Sequence, residues 1–178
     1  MNSKTKKIVT IGALIAAQVI AGRFLSITLP LVKIGFAFLP LSIIAILYGP
    51  VWSGVANAVS DILVAMLGSY GYFPPITISA ILTGVIYGVF LYRKPADIRR
   101  VSLCVLCESI FISVILQTVW LTMLSGKGYL VLLPTRLLQN LITVPIHIFC
   151  IRVVAYRLVG LMRKEYFAEP ANRQDGRQ

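Results

Sequence analysis

Charged residues are scarce in this sequence of 178 residues, and their scarcity excludes most soluble protein classes. Only 13% of the residues are charged, whereas 58% are hydrophobic and the mean hydropathy is +0.86. Soluble domains carry about 25% charged residues, and a chain of this length cannot bury so much apolar surface in its own core. The composition therefore predicts an integral membrane protein in contact with the lipid bilayer.

Metal-binding and redox-active residues are equally few, with three cysteines and one histidine. Cys104 and Cys107 form a CxxC pair, but it lies inside an apolar run and no second pair follows it. A structural zinc site needs four such ligands at defined spacing. The sequence therefore predicts no metal site and no cofactor.

Motifs for ATP hydrolysis and for catalysis are also missing. The nearest match to a phosphate-binding loop, SGKGY at 125–129, lacks the first glycine and the Ser/Thr after lysine, and no nucleophile elbow or HExxH occurs. We expect the protein not to be an enzyme. A small membrane enzyme using Asp61, Glu108 or His147 stays open as an alternative, as does a proton-coupled carrier.

Long apolar runs, by contrast, fill the chain, and each approaches the roughly 20 residues that cross a bilayer as a helix. They predict one all-α polytopic membrane domain with six transmembrane helices. A polar tail occupies 165–178. The start also resembles a signal peptide, whose removal would leave five spans. The predicted spans are 8–29, 34–49, 51–68, 75–92, 101–125 and 135–162.

Basic residues give the chain a net charge of +11, but they lie at the ends of the spans rather than in one patch. This placement argues against nucleic-acid binding and follows the positive-inside rule. The rule places both termini in the cytoplasm. We expect the protein in the plasma membrane. The basic residues that would share the cytoplasmic face are Lys4, Lys6, Lys7, Arg93, Lys94, Arg99, Arg100, Arg157, Arg163 and Lys164.

Polar residues at membrane depth are the candidate functional groups. In VLLPTRLLQNLITVPIHIFC, residues 131–150, Arg136, Asn140 and His147 lie with Gln139 and Thr143 within an arc of about 100° on one helix. Such a stripe faces protein or a cavity rather than acyl chains. Hydrogen bonding between helices explains it as well, and an arginine near the interface can snorkel.

Other spans add polar and aromatic groups that suit one ligand class. Arginines bind carboxylates, aromatic rings stack on heterocycles, and a carboxylate such as Asp61 accepts from paired N–H groups. The pattern indicates a pocket for a small molecule with an anionic end and a flat ring. For the aromatic rings, an interfacial aromatic belt is the simpler alternative. Glu108 is expected to pair with Arg99, Arg100 or a group on another helix. The contributing residues are Arg23, Asp61, Tyr70, Tyr72, Phe73, Trp120, Arg136 and Asn140.

Three stretches resemble a known family. They read KIGFAFLPLSIIAILYGPVWSG, SDILVAMLGSYGYFPPITISAILTGVIYGVFLYRK and TVWLTMLSGKGYLVLLPTRLLQNLI, and the run from Gly71 to Lys94 is the most specific. Together they resemble the substrate-binding S components of energy-coupling factor (ECF) vitamin transporters, most closely the folate-specific one. An S component for riboflavin or pantothenate is the alternative.

The resemblance implies six helices with cytoplasmic termini, tight folate binding, and assembly with a transmembrane coupling subunit and two ATPases. It implies that Ala13 and Ala17 contact the coupling subunit. The pterin edge is then expected on Asp61 or Asn140, with aromatic rings beside it and the glutamate tail near the arginines. Glu108 and His147 have no place in the family pattern. The expected ring contacts are Tyr72, Phe73 and Trp120, the expected tail contacts are Arg23 and Arg136, and Tyr70 is a further candidate ligand residue.

Overall fold

Helices form almost the whole of the structure, a computed structural model that describes residues 3–23, 27–28, 33–67, 72–93, 97–126 and 128–167. Within these ranges one hairpin of two short strands interrupts the helices. The elements are α1 (Ser3–Arg23), β1 (Ile27–Thr28), β2 (Lys33–Ile34), α2 (Phe38–Tyr48), α3 (Pro50–Met66), α4 (Pro74–Leu91), α5 (Ile98–Cys107), the π-helix π1 (Glu108–Leu116), α6 (Gln117–Ser125), α7 (Tyr129–Cys150), the π-helix π2 (Ile151–Ala155) and α8 (Tyr156–Phe167).

Four helices in the described ranges are long and apolar enough to cross a membrane: Thr5–Arg23, Pro74–Leu91, Ile98–Met123 and Tyr129–Leu161. The last two run without a break through π1 and π2. Helices α2 and α3 are apolar but shorter, with 11 and 17 residues. At 1.5 Å per residue they reach only about 16 and 25 Å, against a hydrocarbon core of about 30 Å. The four long apolar helices indicate a helical membrane protein.

The chain between the first two helices differs from the predicted spans 8–29 and 34–49. Helix α1 ends at Arg23, before the predicted limit at 29, and the chain then forms the β1–β2 hairpin, in which Ile27 pairs with Ile34 and Thr28 with Lys33. Lys33 and Ile34 lie in strand β2, so Ile34 is not part of a helix although the second predicted span begins there. Helix α2 therefore begins at Phe38 rather than at 34.

Short helix α2 forms the centre of the core. Ile44 and Ala45 are fully buried. The cluster around α2 joins Tyr87 and Leu91 of α4 with residues of α5 and π2. A helix that is hydrophobic all round belongs in such an interior. The buried residues contributed by the other elements are Val101, Cys104, Val105, Ile151 and Ala155.

Helices α3 and α4 pack in direct backbone contact because two glycines face the start of α3. A Cβ on Gly84 would overlap the Ser53 carbonyl, and one on Gly88 would overlap Pro50. The Ser53 hydroxyl donates to the Gly84 carbonyl at 2.6 Å. This close pairing brings the polar residues of α3 against those of α4.

Candidate ligand-binding cavity

A cavity of about 270 Å³ lies among the helices, next to the α3–α4 pair. Seven elements contribute to its wall. The lining residues are Gln18 and Gly22 of α1, Ala37 before α2, Phe38 and Leu41 of α2, Asn57, Ser60, Asp61 and Val64 of α3, Ile76, Ala80, Thr83 and Tyr87 of α4, Glu108 of π1, Gln117 of α6 and His147 of α7. Polar groups from several helices therefore converge on one space.

One wall is a hydrogen-bonded set of amide and carboxylate side chains. The Gln18 amide donates to Asn57 Oδ1, and Asn57 Nδ2 donates to the Ala80 carbonyl at 2.7 Å. One turn further along α3, Asp61 Oδ2 accepts from Thr77 Oγ1 at 2.8 Å. These bonds fix α1, α3 and α4 to one another and hold the Asp61 carboxylate at the cavity surface.

Glu108, Gln117 and His147 line the cavity from π1, α6 and α7. The His147 ring stacks on Phe38, with centroids 3.7 Å apart and planes at 28°. Glu108 is the first residue of π1, and π-helical turns occur often at functional sites. Among the residues that the structure describes, no ion pair joins Glu108 to Arg99 or Arg100, the simple pairing that the sequence suggested.

The cavity wall is negatively charged. Asp61 and Glu108 both line it, whereas none of the lining residues in the described ranges is a lysine or an arginine. The Oε1 atom of Gln18, a side chain with 4% exposure, has no hydrogen-bond donor in the described part of the chain. The two carboxylates are complementary to a neutral ligand edge that carries several N–H groups.

Of the predicted ligand residues that the structure describes, Asp61 alone lines this cavity, while Trp120 and Asn140 bond to residues of the neighbouring helices. Trp120 Nε1 donates to Ser79 Oγ at 2.9 Å, one residue before Ala80 of the lining. Asn140 Oδ1 accepts from Ser113 Oγ at 3.1 Å, and its Nδ2 has no acceptor in the described ranges. Both side chains thus flank the stretch of helix that carries Gln117.

Arg23, Tyr72, Phe73 and Arg136 are described by the structure and are not among the lining residues. Arg23 ends α1 and is exposed, directly after Gly22 of the lining, while Arg136 is half-buried on α7 one turn before Asn140. Tyr72 is exposed, and Phe73 precedes α4, where its carbonyl accepts from Ile76. Tyr70 lies outside the described residues.

Sequence reasoning missed several lining residues. Gln18 and Asn57 show the same pattern as Asp61, a polar side chain inside an apolar helix. A carboxamide is less costly to bury than a carboxylate, so its presence in an apolar helix is a weaker indication of a binding site. Glu108 and His147 were noted without an assigned role. In the described ranges no group of three or more His, Cys, Asp or Glu side chains could hold a metal ion.

A second surface is the exposed face of α1. Ala13 and Ala17 are exposed, together with Gly12, Ala16 and Ile20. Small residues on one helix face permit close helix–helix contact in lipid.

Comparison with known proteins identifies the family. Residues 2–164 match the family model described as "ECF-type riboflavin transporter, S component". The folate transporter FolT of Clostridium novyi (strain NT) is 38% identical over 145 residues, which cover 81% of this chain and 84% of that protein. FolT of Leuconostoc mesenteroides subsp. mesenteroides is 27% identical over 151 residues, 81% of each chain.

A solved structure supports the same family. The crystal structure of FolT bound with folic acid superposes with a TM-score of 0.78 at 35% identity, and covers 85% of this chain and 92% of that one. The relatives are transport subunits rather than enzymes. With the family model spanning most of the sequence, this chain belongs to the family of substrate-binding S components of ECF-type transporters.

Proposed function

We propose that this chain is the folate-binding S component of an ECF-type importer. The observation that carries the proposal is its similarity to two folate transporters and to a folic acid-bound structure, at 35% identity and a TM-score of 0.78. The acceptor-rich cavity beside the α3–α4 pair is the space in which the ring system would bind.

The charge distribution supports one orientation of the ligand. The described lining of the cavity contains two carboxylates and no cationic side chain, so it suits the N–H groups of a pterin and repels a dicarboxylate tail. Its volume of about 270 Å³ is close to the lower limit of ordinary ligand pockets, about 300–1,000 Å³, which suits the ring rather than the whole vitamin. The tail then extends out of the cavity toward Arg23 and Arg136, which lie outside the lining.

Aromatic and amide groups next to the cavity complete the proposed site. Trp120, Tyr72 and Phe73 would pack against the rings of the ligand, as would Tyr70. Asn140, whose Oδ1 accepts from Ser113 of π1, would border the ligand from α7. Asp61, held by Thr77 through one oxygen, has its second oxygen available for a ligand N–H.

The membrane arrangement is part of the proposal. Helices α2 and α3 would cross as a pair of short spans and bring the total to six, with both termini on the cytoplasmic side of the plasma membrane. The basic ends of the spans support this orientation. The 16-Å length of α2 suits an interior helix, because its neighbours shield it from lipid.

The energy for transport would come from other subunits, because the sequence has no phosphate-binding loop. A transmembrane coupling subunit and two cytoplasmic ATPases would supply it. We assign the docking surface to the exposed small-residue face of α1, with Ala13 and Ala17 at its centre.

Riboflavin is the second candidate ligand, because the matching family model is described as a riboflavin transporter component. Isoalloxazine is also a flat ring with an N–H edge, but riboflavin carries no carboxylate for the arginines. A pantothenate transporter has no comparable support.

Equilibrium binding of radiolabelled folic acid to the purified full-length protein, without ATP, tests the proposal. We expect saturable binding of one folate per chain that unlabelled folic acid displaces and riboflavin does not. Displacement by riboflavin at lower concentration than folic acid would reassign the ligand. Absence of saturable binding of either vitamin would refute the function.

A further inference from the structure

Glu108 is a carboxylate that neither the predicted site nor the family resemblance uses. It lies in the middle of the long α5–π1–α6 helix, ten residues after Ile98, and it lines the cavity together with Tyr87 and His147. A carboxylate at that depth costs several kcal/mol of solvation free energy unless donors or a proton compensate it.

No protein group in the described part of the chain compensates it. Neither of its oxygens accepts a hydrogen bond there, and none of the lining residues that the structure describes is basic. Asp61 differs, because its Oδ2 already accepts from Thr77 at 2.8 Å. Glu108 is therefore the carboxylate with both oxygens available, while Asp61 has one.

We propose that Glu108 is a specificity-determining residue that accepts two parallel hydrogen bonds from the paired N–H donors of the ligand ring, the 2-amino group and N3–H of a pterin. This inference rests on the proposed function and names the residue that reads the ring edge. Asp61 then accepts a single bond from another part of the ligand.

The wide turn of π1 and the stacked rings of His147 and Phe38 support the placement of the ligand ring edge at Glu108. π1 begins at Glu108, so the change in helical pitch occurs at the residue that faces the cavity. The stacked pair of His147 and Phe38 forms an aromatic wall of the same cavity, against which a flat heterocycle would lie edge-on to Glu108. Such a site rejects a ring without the donors, because the carboxylate then stays buried without a partner.

The test compares folic acid with its 2-desamino analogue on four full-length proteins: wild type, Glu108→Gln, Asp61→Asn and Asp97→Asn. Asp97→Asn is the matched control, because Asp97 is an exposed carboxylate that caps the same helix, and asparagine also caps. In wild type and in Asp97→Asn, loss of the 2-amino group should weaken binding about 10- to 100-fold, the range for charge-assisted hydrogen bonds.

In Glu108→Gln, folic acid should bind about as weakly as the analogue, and the two should differ by less than about threefold. The inference is overturned if Glu108→Gln keeps wild-type discrimination, if it loses affinity for both ligands equally, or if discrimination disappears in Asp61→Asn alone. If wild type does not bind folic acid, the proposed function itself fails. Thermal unfolding of each variant confirms that the proteins compared are folded.

Discussion

The Asp61 carboxylate accepts a hydrogen bond from the Thr77 hydroxyl at 2.8 Å, across the interface between α3 and α4. This bond holds one oxygen of Asp61 against α4 and leaves the other at the cavity surface. Substitutions of Asp61 and Thr77 should therefore distinguish the structural role of Asp61 from its role in ligand binding.

Asp61→Ala should abolish measurable folate binding, because a ligand N–H would lose its acceptor inside the membrane. Thr77→Val removes only the protein partner, so it should change affinity by less than about tenfold, the effect of one neutral hydrogen bond. Isothermal titration with folic acid measures both. Unchanged affinity in Asp61→Ala would remove Asp61 from the site.

Gly84→Ala and Gly88→Ala should each destabilise the protein by about 1–3 kcal/mol, since the new methyl group forces α3 and α4 apart. Gly160→Ala is the control, because a Cβ there meets nothing within 4 Å. Its stability should stay level or rise, as alanine favours helix. Thermal unfolding in detergent measures the difference. Equal stability of the three variants would contradict the close packing.

The two tryptophans should report ligand binding differently. Trp120 is fixed to Ser79 beside the cavity, whereas Trp52 is exposed at the start of α3, under the Lys7 ammonium at 4.2 Å. The fluorescence change caused by folic acid should therefore survive Trp52→Phe and be largely lost in Trp120→Phe. The opposite pattern would place the ligand near Trp52.

Ala13→Leu and Ala17→Leu should block folate uptake in cells while the purified variants bind folic acid normally. Bulky side chains on this exposed face prevent close contact with a coupling subunit but do not reach the cavity. Gly160→Leu, an exposed small residue on α8, is the control and should not block uptake. Normal uptake by both alanine variants would place the docking surface elsewhere.

The sequence predicted the positions of some elements well because local signals mark them. Pro74 and Pro75 mark the start of α4, and the helix runs Pro74–Leu91 against the predicted 75–92. The hairpin before α2 was not predicted, since two-residue strands have no periodicity of their own.

The candidate site was predictable only in part. A lone carboxylate in an apolar helix singled out Asp61, and the structure places it in the cavity lining. Helical periodicity put Asn140 and Arg136 on one face of α7, but it does not define which neighbour that face contacts. In the structure Asn140 bonds to Ser113 of π1. Which polar residues share a cavity depends on helix packing, and this is why Gln18 and Asn57 were missed and Glu108 was not assigned to the site.

The most direct test of the central claim is the identity of the ligand that copurifies with the protein from cells supplied with both folate and riboflavin. Denaturation releases the bound molecule, and its absorbance and mass distinguish a pterin from a flavin. The account predicts a folate, about one per chain. A flavin, or a protein that releases no vitamin and does not bind added folic acid, would contradict it.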